Sequence, residues 1–349
     1  MNRVPAVHWS RAPNALVRVS LALALAGLWA PASALSVRSM QSAAAYSRAH
    51  RGSAVMIWRD GQLLFTQAQN GFDLQTPHLL ASGSKSFSCA LAVTLMDQGR
   101  LDLDEPVSQT LTEWRSDPAK AAVTVRQLLS FTSGLPGDVG SKRTGTNVNL
   151  YVQALATGLV ATPGERFSYG NAHLAAFGAL VQRKTGQDPA ALLQRQVLDR
   201  IGARVWWGRD QAGQPDLAAS ARMTAQDWGS YGQLILQDGR WKGQTVLSAA
   251  GLRECLRGSA TLNIYGLTFW LNRPLAGPLP ATDDLPLQAL GGLTANQIAP
   301  SAPGDLVMAA GALNQRLYLL PSERIVVVRF GEGGAWSDEE FLSQLLADK

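Results

Sequence analysis

Cysteine and histidine are both scarce in this sequence. The 349 residues include two cysteines, Cys89 and Cys255, and four histidines. Two cysteines are too few for a disulfide-built scaffold, and the histidines show no metal-binding spacing, so no metal site is expected. Cys89 lies in the apolar helical run CALAVTLM, which favours a buried small hydrophobic residue over half of a disulfide. An oxidising compartment would allow pairing, and the sequence alone does not decide it.

Excess charge of one sign is also small. The formal net charge is +5, from 31 basic and 26 acidic residues. Arg3, Arg11 and Arg18 lie in the first 34 residues, so the remainder carries about +2. This balance, without a basic stripe, argues against nucleic acid as a partner. Hydrophobic residues make up 46% of the chain, as in a folded globular protein.

The most pronounced apolar run is near the N-terminus. The same three arginines form a basic region, Leu21–Ala30 is apolar but too short to span a bilayer, and Ala32-Ser33-Ala34 follows. The combination predicts a secretory signal peptide over residues 1–34, with an uncleaved anchor or a wrongly chosen start as the alternatives. We expect a periplasmic or secreted protein with no membrane span after signal cleavage. The sequence does not indicate an oligomeric state.

Strand patterns occur near both ends of the rest of the chain, with helix patterns between them. A hairpin is predicted at 53–67 around Asp60-Gly61, with strands at 264–271, 306–310, 316–320 and 325–330. Helices are predicted at 37–51, 82–99, 123–130, 171–184, 224–237 and 337–347. The fold class is therefore α+β, an antiparallel sheet flanked by helices with an inserted helical lobe.

One domain is predicted over residues 35–349. Its α/β lobe comprises 35–100 and 240–349, and its helical lobe comprises 101–239. We expect a ligand cleft between the two lobes.

Ser82-Gly83-Ser84-Lys85 forms a Ser-x-x-Lys motif at a predicted helix start. On a helix, this spacing places both side chains on one face, about 5–6 Å apart at Cβ. A neutral Lys85 amine can then deprotonate the Ser82 hydroxyl, because burial lowers the proton affinity of lysine. A capping serine beside a surface lysine is the alternative.

Tyr169-Gly170-Asn171 follows 87 residues later. A tyrosine near the hydroxyl can shuttle protons, and an asparagine amide can hold both the lysine and a substrate carbonyl. The alternative is a packed tyrosine and a helix-capping asparagine. His173 points about 200° away from Asn171 on a helix, so we do not expect a Ser-His-Asp triad.

The sequence resembles the serine β-lactamase-like hydrolases along nearly all of residues 35–349. That family includes class C β-lactamases, D-aminopeptidases, family VIII carboxylesterases and 6-aminohexanoate-oligomer hydrolases. The resemblance rests on SGSKSFSCALAVTLMDQGRLDL (Ser82–Leu103), TVRQLLSFTSG (Thr124–Gly134), FSYGN (Phe167–Asn171) and MTAQDWGSYG (Met223–Gly232).

The resemblance implies a role for each motif residue. Ser82 would be the acylated nucleophile, Lys85 and Tyr169 together the proton relay, and Asn171 an accessory donor. No cofactor is expected, because serine and lysine supply nucleophile and base.

The family's Lys-Thr-Gly motif has no clear copy in the expected place. Lys184-Thr185-Gly186 spells it, but at the end of a predicted helix, where Gly186 reads as the cap. The positional equivalent is Ala310–Gln315, in which Gly311, Ala312 and Asn314 are the candidate substrate-binding residues. One backbone N–H here and that of Ser82 would form the oxyanion hole. A plain turn before a strand is the alternative.

The missing motif lysine bears on the substrate. Without a fixed cation opposite a substrate carboxylate, a small ester or amide is favoured over a β-lactam, unless Arg273 or Arg316 replaces the charge. β-Lactamase or D-amino-acid peptidase activity is one alternative. A non-catalytic, penicillin-binding-like sensor on the same scaffold is another.

Overall fold

The structure is a computed structural model that describes Met1 and residues 35–138, 149–278 and 296–348. Apart from Met1, the predicted signal peptide lies outside the described residues. The described residues from Leu35 onward belong to one compact unit. In the described ranges, no helix is both long enough and apolar enough to cross a membrane.

The secondary structure follows the predicted order of strands, helices and strands. The helices are α1 (Val37–Ala49), α2 (Phe87–Asp97), α3 (Pro118–Ala121), α4 (Val125–Leu129), α5 (Leu150–Ala156), α6 (Ala172–Thr185), α7 (Pro189–Leu193), α8 (Asp199–Ile201), α9 (Ala225–Leu236), α10 (Ala249–Cys255) and α11 (Asp338–Leu345). The strands are β1 (Gly52–Arg59), β2 (Gln62–Ala68), β3 (His78–Leu79), β4 (Trp206–Trp207), β5 (Ala221–Met223), β6 (Arg240–Trp241), β7 (Gln244–Thr245), β8 (Trp270–Leu271), β9 (Val307–Gly311), β10 (Gln315–Leu320) and β11 (Ile325–Gly331).

The main sheet joins the two ends of the described chain. Its strand order is β2-β1-β11-β10-β9-β8, and the neighbours are antiparallel. Strand β1 pairs with β11 in a register that places Val55 opposite Arg329. The apolar runs of β1 and β11 are buried, as expected for inner strands covered on both faces. The predicted α+β class with an antiparallel sheet is confirmed.

Helices cover both faces of this sheet. Helix α9 packs against β10 and β11, and an added Cβ on Gly232 would lie 2.7 Å from Leu317 Cδ1. On the neighbouring residue of β10, the Tyr318 ring stacks on Phe341 of α11 at 5.7 Å. Successive strand side chains point to opposite faces, so α9 and α11 lie on opposite sides.

Two predicted elements differ in form from the observed ones. The region 82–99 begins as a 3-10 helix over Ala81–Ser86 and becomes α2 only at Phe87. The predicted strand 264–271 shortens to β8, because the chain turns back at Thr268, whose φ is +69°, and Tyr265 bridges to Trp270.

The sequence favours an unpaired Cys89 without deciding the question, and the structure contradicts that preference. Cys89 in α2 forms a disulfide with Cys255 in α10, and their Cα atoms are 5.9 Å apart. Both residues are buried, as the apolar surroundings of Cys89 suggested. The two cysteines are separated by 166 residues, and their helices pack together only in the tertiary structure. No local sequence pattern therefore predicts the disulfide.

Candidate active site

Ser82 lies in the 3-10 helix that leads into α2, and hydrogen bonds to Ala221 and within the turn hold this helix in place. Leu80 N–H donates to Ala221 O at 2.8 Å, Ala221 N–H donates to Ser84 Oγ at 3.0 Å, and Ser84 Oγ donates to Ala81 O at 2.5 Å. Gly83 is needed for close packing, because a Cβ there would lie 2.8 Å from Trp228 Cζ2. Ser82 is therefore presented from a tightly held turn.

Lys85 is almost fully buried beside Ser82. Its Nζ lies 3.2 Å from Ser82 Oγ, 2.9 Å from Asn171 Oδ1 and 2.9 Å from Ala218 O. Burial lowers the pKa of Lys85 to about 8, and the charges of Asp216 and Asp138 oppose that shift. At pH 7, roughly one Lys85 amine in ten is therefore neutral, against fewer than one in a thousand for an ordinary lysine.

Tyr169 is the second group beside the Ser82 hydroxyl. Burial raises the pKa of Tyr169 to about 12, and its hydrogen bond with Ser82 acts in the opposite direction. Its ring lies 5.0 Å from Lys85 Nζ and stacks on Trp270 at 5.6 Å between centroids. The phenol is therefore protonated at neutral pH.

The predicted residues Ser82, Lys85, Tyr169 and Asn171 thus come together. The Ala218 carbonyl that binds Lys85 was not predicted. It lies 133 residues further along the chain, and a backbone oxygen leaves no signature in the sequence.

The third predicted segment packs against the same 3-10 helix. Strand β9 and the turn Ala312–Asn314 both contact Ala81–Ser86. A Cβ on Gly311 would lie 2.0 Å from Leu80 O and 3.1 Å from Gly83 N, so only glycine permits this approach. Ala312 is exposed at this point. Gly311 therefore packs directly against the turn that carries Ser82, and its part in an oxyanion hole stays a prediction.

Asn314 occupies a constrained turn in that segment. It has a φ of +67° and follows Leu313, whose φ is +60°. Its amide nitrogen donates to Gly334 O at 3.1 Å, and its own carbonyl accepts from Arg329 at 2.7 Å. These contacts support the turn, and a contact of Asn314 with substrate stays a prediction.

The structure removes Arg316 as a possible replacement for the missing motif lysine. Arg316 is fully buried, and its guanidinium donates to both carboxylate oxygens of Asp338, at 2.7 and 3.2 Å. Its Nη1 also donates to the carbonyls of Gly311 and Gln315. Arg273, the other candidate, donates to Leu256 O at 3.0 Å.

The two other motif-like features behave as expected. Gly186 ends α6 in the left-handed conformation, and Lys184 forms an ion pair with Glu105 at 2.7 Å. His173 directs its two ring nitrogens to Ser133 and Ser168. The structure thus gives His173 no bond to Ser82. Among the described residues, no group of three His, Cys, Asp or Glu side chains is placed to hold a metal ion.

A cavity of about 400 Å³ lies beside the loop that carries Ala218. It is lined by Leu150, Gly208, Arg209, Asp210, Gln211, Asp216 and Ser220. Asp216 also binds the backbone of Ala218, whose carbonyl holds Lys85. The cavity and the lysine therefore share one loop.

Comparison with known proteins identifies the family. The beta-lactamase family model matches residues 30–340. Esterase EstB of Burkholderia gladioli is 30% identical over 180 residues, which are 44% of this chain and 46% of the esterase. Protein flp of Staphylococcus aureus is 26% identical over 151 residues, 39% of this chain and 30% of that protein. The aligned part is thus less than half the length of these curated relatives.

The fold is shared with solved structures. One is D-alanine carboxypeptidase AmpC from Burkholderia cenocepacia, with a TM-score of 0.64 and 20% identity over 89% of this chain and 98% of that one. At this level of identity the likeness establishes the fold and leaves the substrate open.

Proposed function

The chain belongs to the beta-lactamase family of serine hydrolases, and from that premise we propose that it cleaves a small ester or amide through an acyl-enzyme on Ser82. The observation that carries the proposal is the set of bonds around Lys85. Asn171 Oδ1 and Ala218 O can only accept hydrogen bonds, whereas the Ser82 hydroxyl can also donate one.

This set of partners directs the lone pair of a neutral lysine. A neutral amine has two N–H groups and one lone pair. The two N–H groups go to Asn171 Oδ1 and Ala218 O, which leaves the lone pair facing the Ser82 Oγ–H at 3.2 Å. This arrangement supports Lys85 as the general base for attack by Ser82.

Tyr169 fits the donor side of the relay. At pH 7 a pKa of about 12 leaves roughly one phenolate in 10⁵, whereas a pKa of about 8 leaves roughly one neutral amine in ten. Lys85 therefore accepts the Ser82 proton, Tyr169 passes a proton to the leaving group, and the proton taken up by Lys85 then restores the Tyr169 phenol. A backbone N–H of Gly311–Asn314, with that of Ser82, would hold the oxyanion.

The position of the family's motif lysine carries no positive charge in this protein. A substrate that has no carboxylate facing this position is therefore favoured. Alanines stand at 309 and 310, and Arg316 is engaged by Asp338. Esterase EstB, by its name, supports ester cleavage, whereas the AmpC carboxypeptidase keeps peptide cleavage as the alternative. With the predicted signal peptide at residues 1–34, the protein would act in the periplasm or outside the cell.

Intact-mass analysis with a fluorophosphonate tests the nucleophile. We expect one label, on Ser82, and a burst of p-nitrophenol from p-nitrophenyl butyrate, both absent in Ser82→Ala. Ser88→Ala is the matched control, because Ser88 Oγ is buried, has no hydrogen-bond partner among the described residues and lies outside the relay. Unlabelled Ser82 would favour the non-catalytic sensor.

A substrate panel tests the substrate class. We expect p-nitrophenyl butyrate to be hydrolysed faster than a chromogenic cephalosporin or an acyl-D-alanyl-D-alanine peptide. Cephalosporin turnover far above ester turnover would contradict the ester or amide proposal while leaving Ser82 as the nucleophile.

A further inference from the structure

The turn that carries Tyr169 and Asn171 is hydrogen-bonded through its backbone to a second segment, Phe131–Gly137. Ser168 N–H donates to Phe131 O at 2.9 Å, and Asn171 N–H donates to Gly137 O at 2.6 Å. These two bonds fix the ends of the turn through its backbone. A third tie, through His173, fixes the carbonyl immediately before Tyr169.

His173 lies in the first turn of α6 and is fully buried. Its Nε2 is 2.8 Å from Ser168 O, and its Nδ1 is 2.9 Å from Ser133 Oγ. A carbonyl oxygen only accepts, so Nε2 carries the proton. Ser133 Oγ accepts from Leu135 N–H at 3.3 Å and can donate its own proton to Nδ1. The tautomer follows from the partners.

The surroundings keep this ring neutral and in place. Burial lowers the pKa of His173 to about 4. The bond to Ser168 opposes that shift, and the charge of Lys85 adds to it. The Phe131 ring stacks on His173 at 5.0 Å and meets the Tyr169 ring edge-on at 5.4 Å. Phe131 itself has a φ of +59°, a conformation that persists only where neighbouring contacts impose it.

We propose that His173 is a positioning residue, which holds the Tyr169 backbone in register with Ser82 by donating Nε2–H to the Ser168 carbonyl. This inference rests on the proposed function of Tyr169 as the proton donor to the leaving group. His173 itself contacts neither the nucleophile nor the lysine through its ring nitrogens. A displacement of about 1 Å at a proton-transfer group can cost on the order of 10² in rate.

Leaving-group dependence separates this role from simple destabilisation. A proton donor matters most for a poor leaving group and least for p-nitrophenolate. We therefore expect His173→Phe to lower kcat/KM about 30- to 100-fold for ethyl butyrate and about threefold or less for p-nitrophenyl butyrate. Phenyl butyrate should fall between them, which steepens the plot of log kcat/KM against leaving-group pKa.

Two further variants control the experiment. His173→Gln can still donate to Ser168 O, so we expect ethyl butyrate hydrolysis to return to within about fivefold of wild type. Phe177→Leu removes packing from a fully buried position one turn along the same helix and should lower all three ester rates equally, if at all. Parallel losses in His173→Phe, or an unchanged slope, would overturn the positioning role.

Histidine side-chain NMR tests the same geometry without substrate. In the wild-type protein we expect His173 to be the Nε2–H tautomer and neutral at pH 6, with the signals assigned by their absence in His173→Gln. An Nδ1–H tautomer or a protonated ring would overturn the inference. Absence of both ester turnover and Ser82 labelling would instead contradict the proposed function, so the two failures are distinguishable.

Discussion

Two buried cations in this protein differ in what surrounds them. Arg316 in β10 meets the Asp338 carboxylate, which also accepts from Tyr318 Oη at 2.5 Å and Trp336 Nε1 at 3.0 Å. The hydrogen-bond partners that the described residues give Lys85 Nζ are all neutral oxygens. Arg316 is thus paired with a carboxylate, whereas the hydrogen-bond partners of Lys85 carry no charge.

The pairing decides whether the proton can leave. Burial is the largest single influence on Arg316 and opposes its charge, but the interactions with Asp338 and Tyr318 together outweigh it, and the pKa of Arg316 is raised. At Lys85, burial prevails and the pKa falls to about 8. A buried cation with a carboxylate thus braces the fold, whereas one held by neutral acceptors can act as a base.

Replacing Lys85 by arginine should have the largest effect. Arginine keeps the positive charge but does not lose its proton in proteins, so we expect Ser82 acylation to slow about 10³- to 10⁴-fold. The burst rate with p-nitrophenyl butyrate measures it.

Lys120→Arg is the matched control for Lys85→Arg. Lys120 is also buried, donates to Leu155 O at 3.0 Å and lies 5.5 Å from the centroid of Trp114. We expect its replacement to change the acylation rate by less than about threefold, because distant surface or core changes leave the base intact. If both variants lost acylation rate to a similar extent, the loss would reflect the replacement of any buried lysine. Lys85 would then not be distinguished as the base.

Breaking the paired centre should affect stability more than chemistry. Asp338→Asn leaves Arg316 without its counter-charge, and we expect urea unfolding to show a loss of about 3–5 kcal/mol. Glu113→Gln, which breaks the more exposed pair with Arg183, should cost at most about 1 kcal/mol. Folded Asp338→Asn protein should retain ester turnover within about threefold. A large loss of turnover at unchanged stability would assign Arg316 to the reaction instead.

The parts of the site that depend on local residue spacing could be predicted from the sequence. Ser82 and Lys85 share one helical turn, and Asn171 directly precedes helix α6, so residue type and spacing indicate their positions, while their roles stay predictions. Gly186 was correctly identified as a helix cap because a cap is a local feature. The hairpin at Asp60-Gly61 was predictable for the same reason, since both residues take the positive φ that this turn needs.

The remaining features depend on contacts between distant segments. The Cys89–Cys255 disulfide spans 166 residues. Arg316 looked available to a substrate because the sequence does not show that Asp338 lies beside it. Likewise, the Ala218 carbonyl contributes a backbone atom to Lys85, and backbone atoms are the same at every position.

Asn171→Asp would give Lys85 a carboxylate partner, as Asp338 is for Arg316. A carboxylate oxygen would replace Oδ1 at 2.9 Å from Nζ and raise the pKa of Lys85 by about 1–3. We expect the acylation rate at pH 7 to fall about 10- to 1000-fold, in proportion to the neutral fraction of Lys85, and to recover as the pH is raised. Asn171→Ala removes the same bond without adding charge, so its rate loss should not be recovered at high pH. Identical pH profiles for the two variants would contradict the charge argument.

The pH profile of the wild-type protein tests the smallest effect. If neutral Lys85 is the base, the acylation rate should rise about tenfold per pH unit below 8 and level off above it, because the neutral fraction follows the pKa of about 8.

The pH dependence of stability gives an independent check on the pKa of Lys85. Lys85 holds fewer protons folded than unfolded between pH 8 and its ordinary pKa of 10.5, so its contribution to stability rises with pH in that window. Wild type should therefore gain stability relative to Lys85→Met between pH 8 and 10, by about 1.4 kcal/mol per unit at most. A constant difference, or a rate still rising well above pH 8, would show that Lys85 stays charged and that its centre resembles that of Arg316 after all.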